Sequence, residues 1–254
     1  MATHFYPLKV NSVRRETPDC VSIAFEIPGE LKDHFAYTQG QHLTIRKFFD
    51  GLEIRRNYSL CSSPLDNEWR IAVKKMESGL FSQFANEELK EGDLLEVMPP
   101  MGKFYTPVNA TQKKHYVAIA GGSGITPVMS IILTTLKTEP QSSFTLFYAN
   151  RDHHHIIFKE LLQELKDLYL QRLEVHHIFS RQHTEAPLNN GHIDNEKCEM
   201  FFSRIIPLKT VDEVFICGPA GLIETVRDYL LGKGYDRQKI HFELFGTGKP
   251  VKKK

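Results

Sequence analysis

The sequence predicts two domains in tandem, a small antiparallel β-barrel followed by a five-stranded parallel α/β domain. Three observations predict it. About six short β-rich segments follow one another in the first hundred residues, separated by turn signals. Beyond residue 115, strands alternate with helices of apolar spacing, the pattern of a parallel sheet. Between the halves, Thr106–Lys114 (TPVNATQKK) is polar and aperiodic, as an interdomain linker should be. The expected division is 1–108, 109–246 and a basic tail or start of a linker at 247–254.

At 254 residues the chain has ample length for a real core. A formal charge of +1 gives no attraction for nucleic acid or an acidic membrane surface. No apolar run approaches the roughly 20 residues of a membrane span. The start, Met1-Ala2-Thr3-His4-Phe5-Tyr6-Pro7, lacks the basic region and apolar run of a secretory signal. Cys20, Cys61, Cys198 and Cys217 are far apart, without zinc or iron–sulfur spacing. The expectation is a reducing compartment, the cytoplasm, and no structural metal.

In the first domain the expected strands are Phe5–Arg15, Cys20–Glu26, Gln41–Phe48, Glu53–Leu60, Trp69–Lys75 and Asp93–Met98. Pro28-Gly29, Asp50-Gly51, Asp66-Asn67 and Gly92-Asp93 mark the turns. One helix, Leu80–Leu89, opens after Gly79 with Ser82 in its first turn. Helix amides there suit an anion, although an ordinary helix start looks the same. Arg56-Asn57-Tyr58-Ser59-Leu60-Cys61-Ser62 places a fixed cation, an aromatic plane and hydroxyls within one extended run that Pro64 should stop. Arg56, Tyr58, Leu60 and Ser62 would point one way, Asn57, Ser59 and Cys61 the other. Arginine is a bidentate phosphate donor and tyrosine lies flat against a ring, so the run suits a planar cofactor that carries phosphate. In isolation an edge strand explains it as well. Met98–Tyr105, with Pro99, Pro100 and Gly102, predicts a tight irregular loop.

In the second domain a strand at Tyr116–Ala120 runs into Gly121-Gly122-Ser123-Gly124-Ile125-Thr126-Pro127. A helix follows, with Thr126 as expected cap and Pro127 in its first turn. Strand, glycine turn and helix N-terminus make a phosphate cradle, although neither GxGxxG nor a P-loop is present. Strand Phe144–Ala149, helix Ile156–Tyr169, strand Leu173–Phe179, helix Asn195–Ile205, strand Glu213–Cys217, helix Ala220–Leu231 and strand Ile240–Leu244 complete the pattern. Ligands bind beyond the carboxyl ends of such strands, here Gly121–Thr126, Asn150-Arg151, Ser180-Arg181 and Cys217-Gly218-Pro219. Two arginines at neighbouring strand ends suit a 2′-phosphate and so favour NADPH over NADH. The run His153-His154-His155 reads as a solvated turn, because consecutive residues rarely converge on one metal.

The ordered set Arg56-x-Tyr58-Ser59, Gly79-x-x-Ser82, Gly121–Pro127, Cys217-Gly218-Pro219 and Phe242-Glu243-x-Phe245 resembles the ferredoxin–NADP⁺ reductase superfamily, in particular its bacterial oxygenase-reductase branch. The resemblance covers residues 5 to 246. It implies a Greek-key barrel that binds FAD and an α/β domain that binds NADPH or NADH. It implies that Arg56 pairs with the FAD pyrophosphate, Tyr58 stacks on the isoalloxazine and Ser59 sits near flavin N5, with Asn57 in the same segment. Val73, Lys74, Gly79, Phe81 and Ser82 form the second flavin segment. Gly122, Gly124 and Thr126 would follow the nicotinamide nucleotide, with Arg151, Ser180 and Arg181 at its far end. Cys217, Gly218 and Pro219 would approach the nicotinamide, Glu243 would act as an acid beside the reacting centre, and Phe245 would cover the flavin face opposite Tyr58.

The implied activity takes hydride from NAD(P)H and delivers single electrons to an iron–sulfur protein or oxygenase partner. Relatives in this branch usually carry a [2Fe–2S] domain, whose C-x₄-C-x₂-C spacing does not follow Gly246. Two other readings stand beside it: a reductase of free flavin, and a flavin-bearing subunit that does not itself use NAD(P)H.

Overall fold

The computed structural model describes residues 4–245, so the expected tail at 247–254 lies outside the described residues. The first sheet contains β1 (Tyr6–Thr17), β2 (Cys20–Glu26), β3 (His42–Phe49), β4 (Leu52–Ser59), β5 (Trp69–Lys74) and β6 (Leu94–Val97). Its order is β4-β3-β6-β1-β2-β5, antiparallel throughout. A bridge from Leu60 to Ile71 and a hydrogen bond from the Cys61 amide to Arg70 O join β4 to β5, so the sheet closes into a Greek-key barrel. Alternate residues fill it, among them Leu8, Val10, Ile23, Leu43, Ile45, Ile71, Val73 and Val97. Helix α1 (Leu80–Glu87) covers one side of this core with Phe81 and Ala85. Arg15 on β1 grips Asn86 of that helix through its side-chain and backbone oxygens, at 2.9 and 2.6 Å.

The second sheet contains β7 (His115–Gly121), β8 (Ser143–Asn150), β9 (Leu173–Phe179), β10 (Glu213–Gly218) and β11 (Ile240–Leu244), parallel in the order β11-β10-β7-β8-β9. Helices α2 (Ile125–Thr138) and α3 (Lys159–Leu168) cover one face, α4 (Asn195–Met200) and α5 (Ala220–Gly232) the other. Burial on both faces explains why β7 reads as an unbroken apolar run: Tyr116, Ala118 and Ala120 face α2, while Val117 and Ile119 face the α5 side.

Helix α2 also packs on the barrel. Cys20, Cys61 and Ala72 join the apolar cluster that includes its Val128, Met129 and Ile132. Ser130 Oγ donates to Ser62 O at 2.6 Å, and the Ser63 and Thr134 hydroxyls pair at 2.9 Å, all buried. Each such bond contributes about 1 kcal/mol, and stranding one partner would cost more.

Three local expectations change. The extended run from Arg56 ends at Ser59 rather than at Pro64, because Ser62 and Ser63 are taken by α2 and Pro64 opens a short 3₁₀ turn. Thr126 is not a cap: the helix already runs from Ile125, and Thr126 Oγ1 donates to Ser123 O at 3.0 Å. The helix expected from Ile156 starts at Lys159, because Phe158 takes a left-handed conformation at φ +62°.

Gly124 shows why the turn after β7 is glycine-rich. A Cβ there would overlap the Cys217 carbonyl and its peptide. We therefore predict that Gly124→Ala lowers stability by about 2 kcal/mol or more. An unchanged midpoint in urea unfolding would show that the two strand ends do not need this approach.

Candidate functional site

The two domains enclose a cleft of about 880 Å³. Its barrel side is lined by Arg56, Asn57, Tyr58 and Ser59 from β4, Lys74 at the end of β5, and Gly79, Phe81 and Ser82 around the start of α1. Its other side is lined by Gly121, Gly122, Ser123 and Thr126, then Asn150, Arg151 and Ser180, then Gly218 and Pro219, all at carboxyl ends of the parallel strands. Phe245, just past β11, lines it too.

On the barrel side the Tyr58 ring packs on Phe81 at 5.5 Å and also borders the cleft. Burial pushes its phenol up, so it stays a neutral ring. Arg56 has no carboxylate within ion-pair distance among the described residues, and its one hydrogen bond runs to the neighbouring Arg55 O at 2.7 Å. The first backbone bond at the α1 end runs from Gln83 to Gly79 O, which leaves the amides of Leu80, Phe81 and Ser82 without intrahelical partners. The Ser82 hydroxyl is engaged in the turn itself: it donates to Gly79 O and accepts from the Met76 amide, both at 3.0 Å. A free cation, a flat ring and open helix amides together fit a planar cofactor with a pyrophosphate, as FAD is.

Across the cleft, Gly122 has φ +52°, a conformation that glycine adopts without strain, and Tyr148 Oη donates to its carbonyl at 3.0 Å. The turn is thus held open, with small residues toward the cleft.

The domains meet chemically at Ser59 and Glu243. Ser59 Oγ donates to Glu243 Oε2 at 3.4 Å, and His42, paired with Ser59 across β3 and β4, places Nδ1 3.9 Å from Glu243 Oε1. Burial pushes the Glu243 carboxyl up to about 7, against a lesser opposite pull from Ser59. Burial also lowers His42. At neutral pH Glu243 is therefore divided between acid and carboxylate, which suits a group that exchanges protons.

The cleft gathers fifteen of the expected residues: Arg56, Asn57, Tyr58, Ser59, Lys74, Gly79, Phe81, Ser82, Gly122, Thr126, Arg151, Ser180, Gly218, Pro219 and Phe245. Glu243 lies against Ser59. The remaining four are placed elsewhere. Val73 is fully buried in the barrel core. Gly124 packs against the β10 peptide. Arg181 is exposed beyond the cleft lining. Cys217 is fully buried beside α2, where burial raises its thiol far above the ordinary value, so it is no thiolate. Gly191-His192-Ile193, after β9, and Leu222 and Thr225, in the first turns of α5, line the cleft unanticipated. The strand-end rule pointed to both regions, but neither carries a charged or glycine-rich signature dense enough to single out.

Residues 7–119 match the Oxidoreductase FAD-binding domain family and residues 118–228 the Oxidoreductase NAD-binding domain family. The chain is 44% identical over 245 residues to a component of the 1,2-phenylacetyl-CoA epoxidase of Escherichia coli, covering 96% of this chain and 69% of that protein. It is 36% identical to the ferredoxin reductase component of 3-ketosteroid-9-alpha-monooxygenase from Rhodococcus rhodochrous, covering 94% and 65%. The chain thus spans about two thirds of the length of these relatives. Among solved structures, the FAD/NAD-binding domain of nitric oxide dioxygenase from Vibrio cholerae superposes with a TM-score of 0.79 at 25% identity, covering 96% of this chain and 99% of that one. Phthalate dioxygenase reductase superposes at 0.71 with 28% identity, covering 96% and 70%.

The Glu243 environment makes a testable demand. An ordinary glutamate titrates near 4.5 and Glu243 near 7 in the folded chain. Stability from this group is complete below the lower value and is lost as pH rises through the upper one. Glu243→Gln removes that loss. In thermal unfolding the variant should match the parent at about pH 4.5 and gain a Tm advantage that grows up to about pH 7.5. A pH-independent offset would refute the raised carboxyl.

Proposed function

The chain belongs to the ferredoxin–NADP⁺ reductase-like superfamily and is a flavoprotein reductase with FAD-binding and NAD-binding domains, and from that premise we propose that it is the reductase component of an oxygenase system. In this reading it draws reducing equivalents from NADPH, with NADH as the second donor, and passes single electrons to an iron–sulfur or oxygenase partner. The observation that carries the reading is the shared cleft, with a phosphate-and-ring face on the barrel and a glycine cradle opposite. FAD, when bound, converts a two-electron hydride into single electrons for export. We place the domain boundary near residue 108, between β6 and β7, and the protein in the cytoplasm. Among the described residues no helix is long and apolar enough to cross a membrane.

In this proposal the chain's own groups bind and orient. Arg56 holds the pyrophosphate as a bidentate donor, and the open amides of α1 add to it. Tyr58, braced by Phe81, stacks on the ring system. Ser59 meets the polar edge of that ring, and Glu243 holds or releases a proton at Ser59 Oγ. Phe245, just past β11, would cover the opposite face of that ring. Gly122 and Ser123 follow the backbone of the second nucleotide, and Gly218 and Pro219 border its nicotinamide end.

Anaerobic absorbance during titration with NADPH and then NADH tests the function. Flavin bands that bleach with either donor support the reductase. Flavin that persists with both would make this an electron carrier fed by another protein. Tyr58→Ala should weaken FAD retention by about tenfold or more, since one ring–ring contact and its buried area disappear. Full flavin content after gel filtration would remove the stacking role.

A further inference from the structure

Asp19 lies in the turn between β1 and β2, on the barrel, yet its closest ionic partner belongs to the other domain. Its Oδ2 sits 2.6 Å from Arg151 Nη2 and 3.7 Å from Lys74 Nζ, and its Oδ1 accepts from Thr17 Oγ1 at 2.8 Å. Arg151 and Lys74 line the cleft, whereas Asp19 is not among its lining residues. The carboxylate therefore stands behind two cations that face the ligand space. Burial opposes its ionisation, but the Thr17 hydroxyl, Lys74, Arg151 and His155 together hold its pKa below the usual value, so it is anionic.

Donors remain unused at the same place. Asn150, 7% exposed and lining the cleft, has Nδ2 without a hydrogen-bond partner among the described residues, and Arg151 Nε is likewise buried and unpartnered. Both residues stand at the end of β8, the second strand of the β7–α2–β8 unit. In such units an acid at this point reads a ribose 2′-hydroxyl, and an arginine accommodates a 2′-phosphate. Two fixed cations and one carboxylate leave a net single positive charge for that phosphate.

We propose that Asp19 is a specificity-determining residue, which neutralises part of the Arg151 charge from across the domain boundary and so limits the preference for the 2′-phosphorylated coenzyme. The proposal rests on the reading of this cleft as an NAD(P)H site. A carboxylate this close to the arginine repels the incoming dianion, and the amide of asparagine keeps the shape while removing the repulsion.

The test is calorimetric binding of 2′,5′-ADP and of 5′-AMP to the flavin-loaded protein at low salt. Asp19→Asn should tighten 2′,5′-ADP by about fivefold and leave 5′-AMP within about twofold. Arg151→Gln should abolish the preference for 2′,5′-ADP, and adding Asp19→Asn to it should give a smaller gain, through Lys74 alone. Unchanged or weaker binding of 2′,5′-ADP to Asp19→Asn, equal tightening of both probes, or a gain as large in the Arg151→Gln background as in the parent would each overturn the proposal. If Asp19→Asn does not fold, Asp19→Ser takes its place under the same outcomes, since it too removes the carboxylate. If the parent protein binds neither probe, the nucleotide reading of the cleft fails first, and this proposal with it.

Discussion

Helix α2 belongs to the second domain by chain order and to both domains by packing, and the cleft depends on that double contact. The Gly121–Ser123 turn leads into its first turn, and its later turns press on the barrel wall between β4 and β5. Because Ser130 and Thr134 satisfy Ser62 O and the Ser63 hydroxyl in a dry seam, sliding the helix would strand buried polar groups. The seam therefore fixes register as well as adhesion. It sets the cradle opposite the face made by Arg56, Tyr58 and α1, so the cleft is built into the domain docking.

Two ionic pairs also join the domains. Arg151 reaches Asp19, and Lys137 pairs with Asp66 at the exposed rim. Exposed pairs contribute little to stability. The value of the Arg151 pair is positional, since Asp19 partly matches from behind a charge that faces the cleft. Glu243 is different, because its neighbours do not offset its burial and its carboxyl titrates near neutral pH. A carboxyl that titrates near neutral pH at the domain junction and the cations Arg151 and Lys74 along the cleft give its regions different chemical character.

Much of this was legible in the sequence. β-rich runs between turn signals in the first hundred residues and βα periodicity afterwards gave all eleven strands within a few residues, because strand-forming residues are bounded by turn chemistry in the barrel and the parallel sheet buries both faces. Fifteen of the expected site residues line one cleft: most sit at a strand end or a helix start, places where backbone geometry leaves donors open, while Arg56, Asn57 and Tyr58 enter it from within β4. Gly124 and Cys217 do not line the cleft. Gly124 stands in the glycine-rich turn and Cys217 before Gly218-Pro219, and in the structure the two touch where the turn after β7 meets the end of β10. Gly191–Ile193 and Leu222 escaped notice because ordinary loop and apolar residues become site residues only through where the fold carries them.

The sequence by itself determined the two-domain order, the strands and helices, and the chemical character of each half of the site. These follow from local periodicity, turn chemistry and residue type, which act over a few residues. Only the tertiary structure decided that Ser62 and Ser63 hold α2, that Asp19 backs Arg151 and that Glu243 meets Ser59. Those partners are 68, 71, 132 and 184 residues apart, and their pairing is set by domain docking, which no short-range pattern encodes.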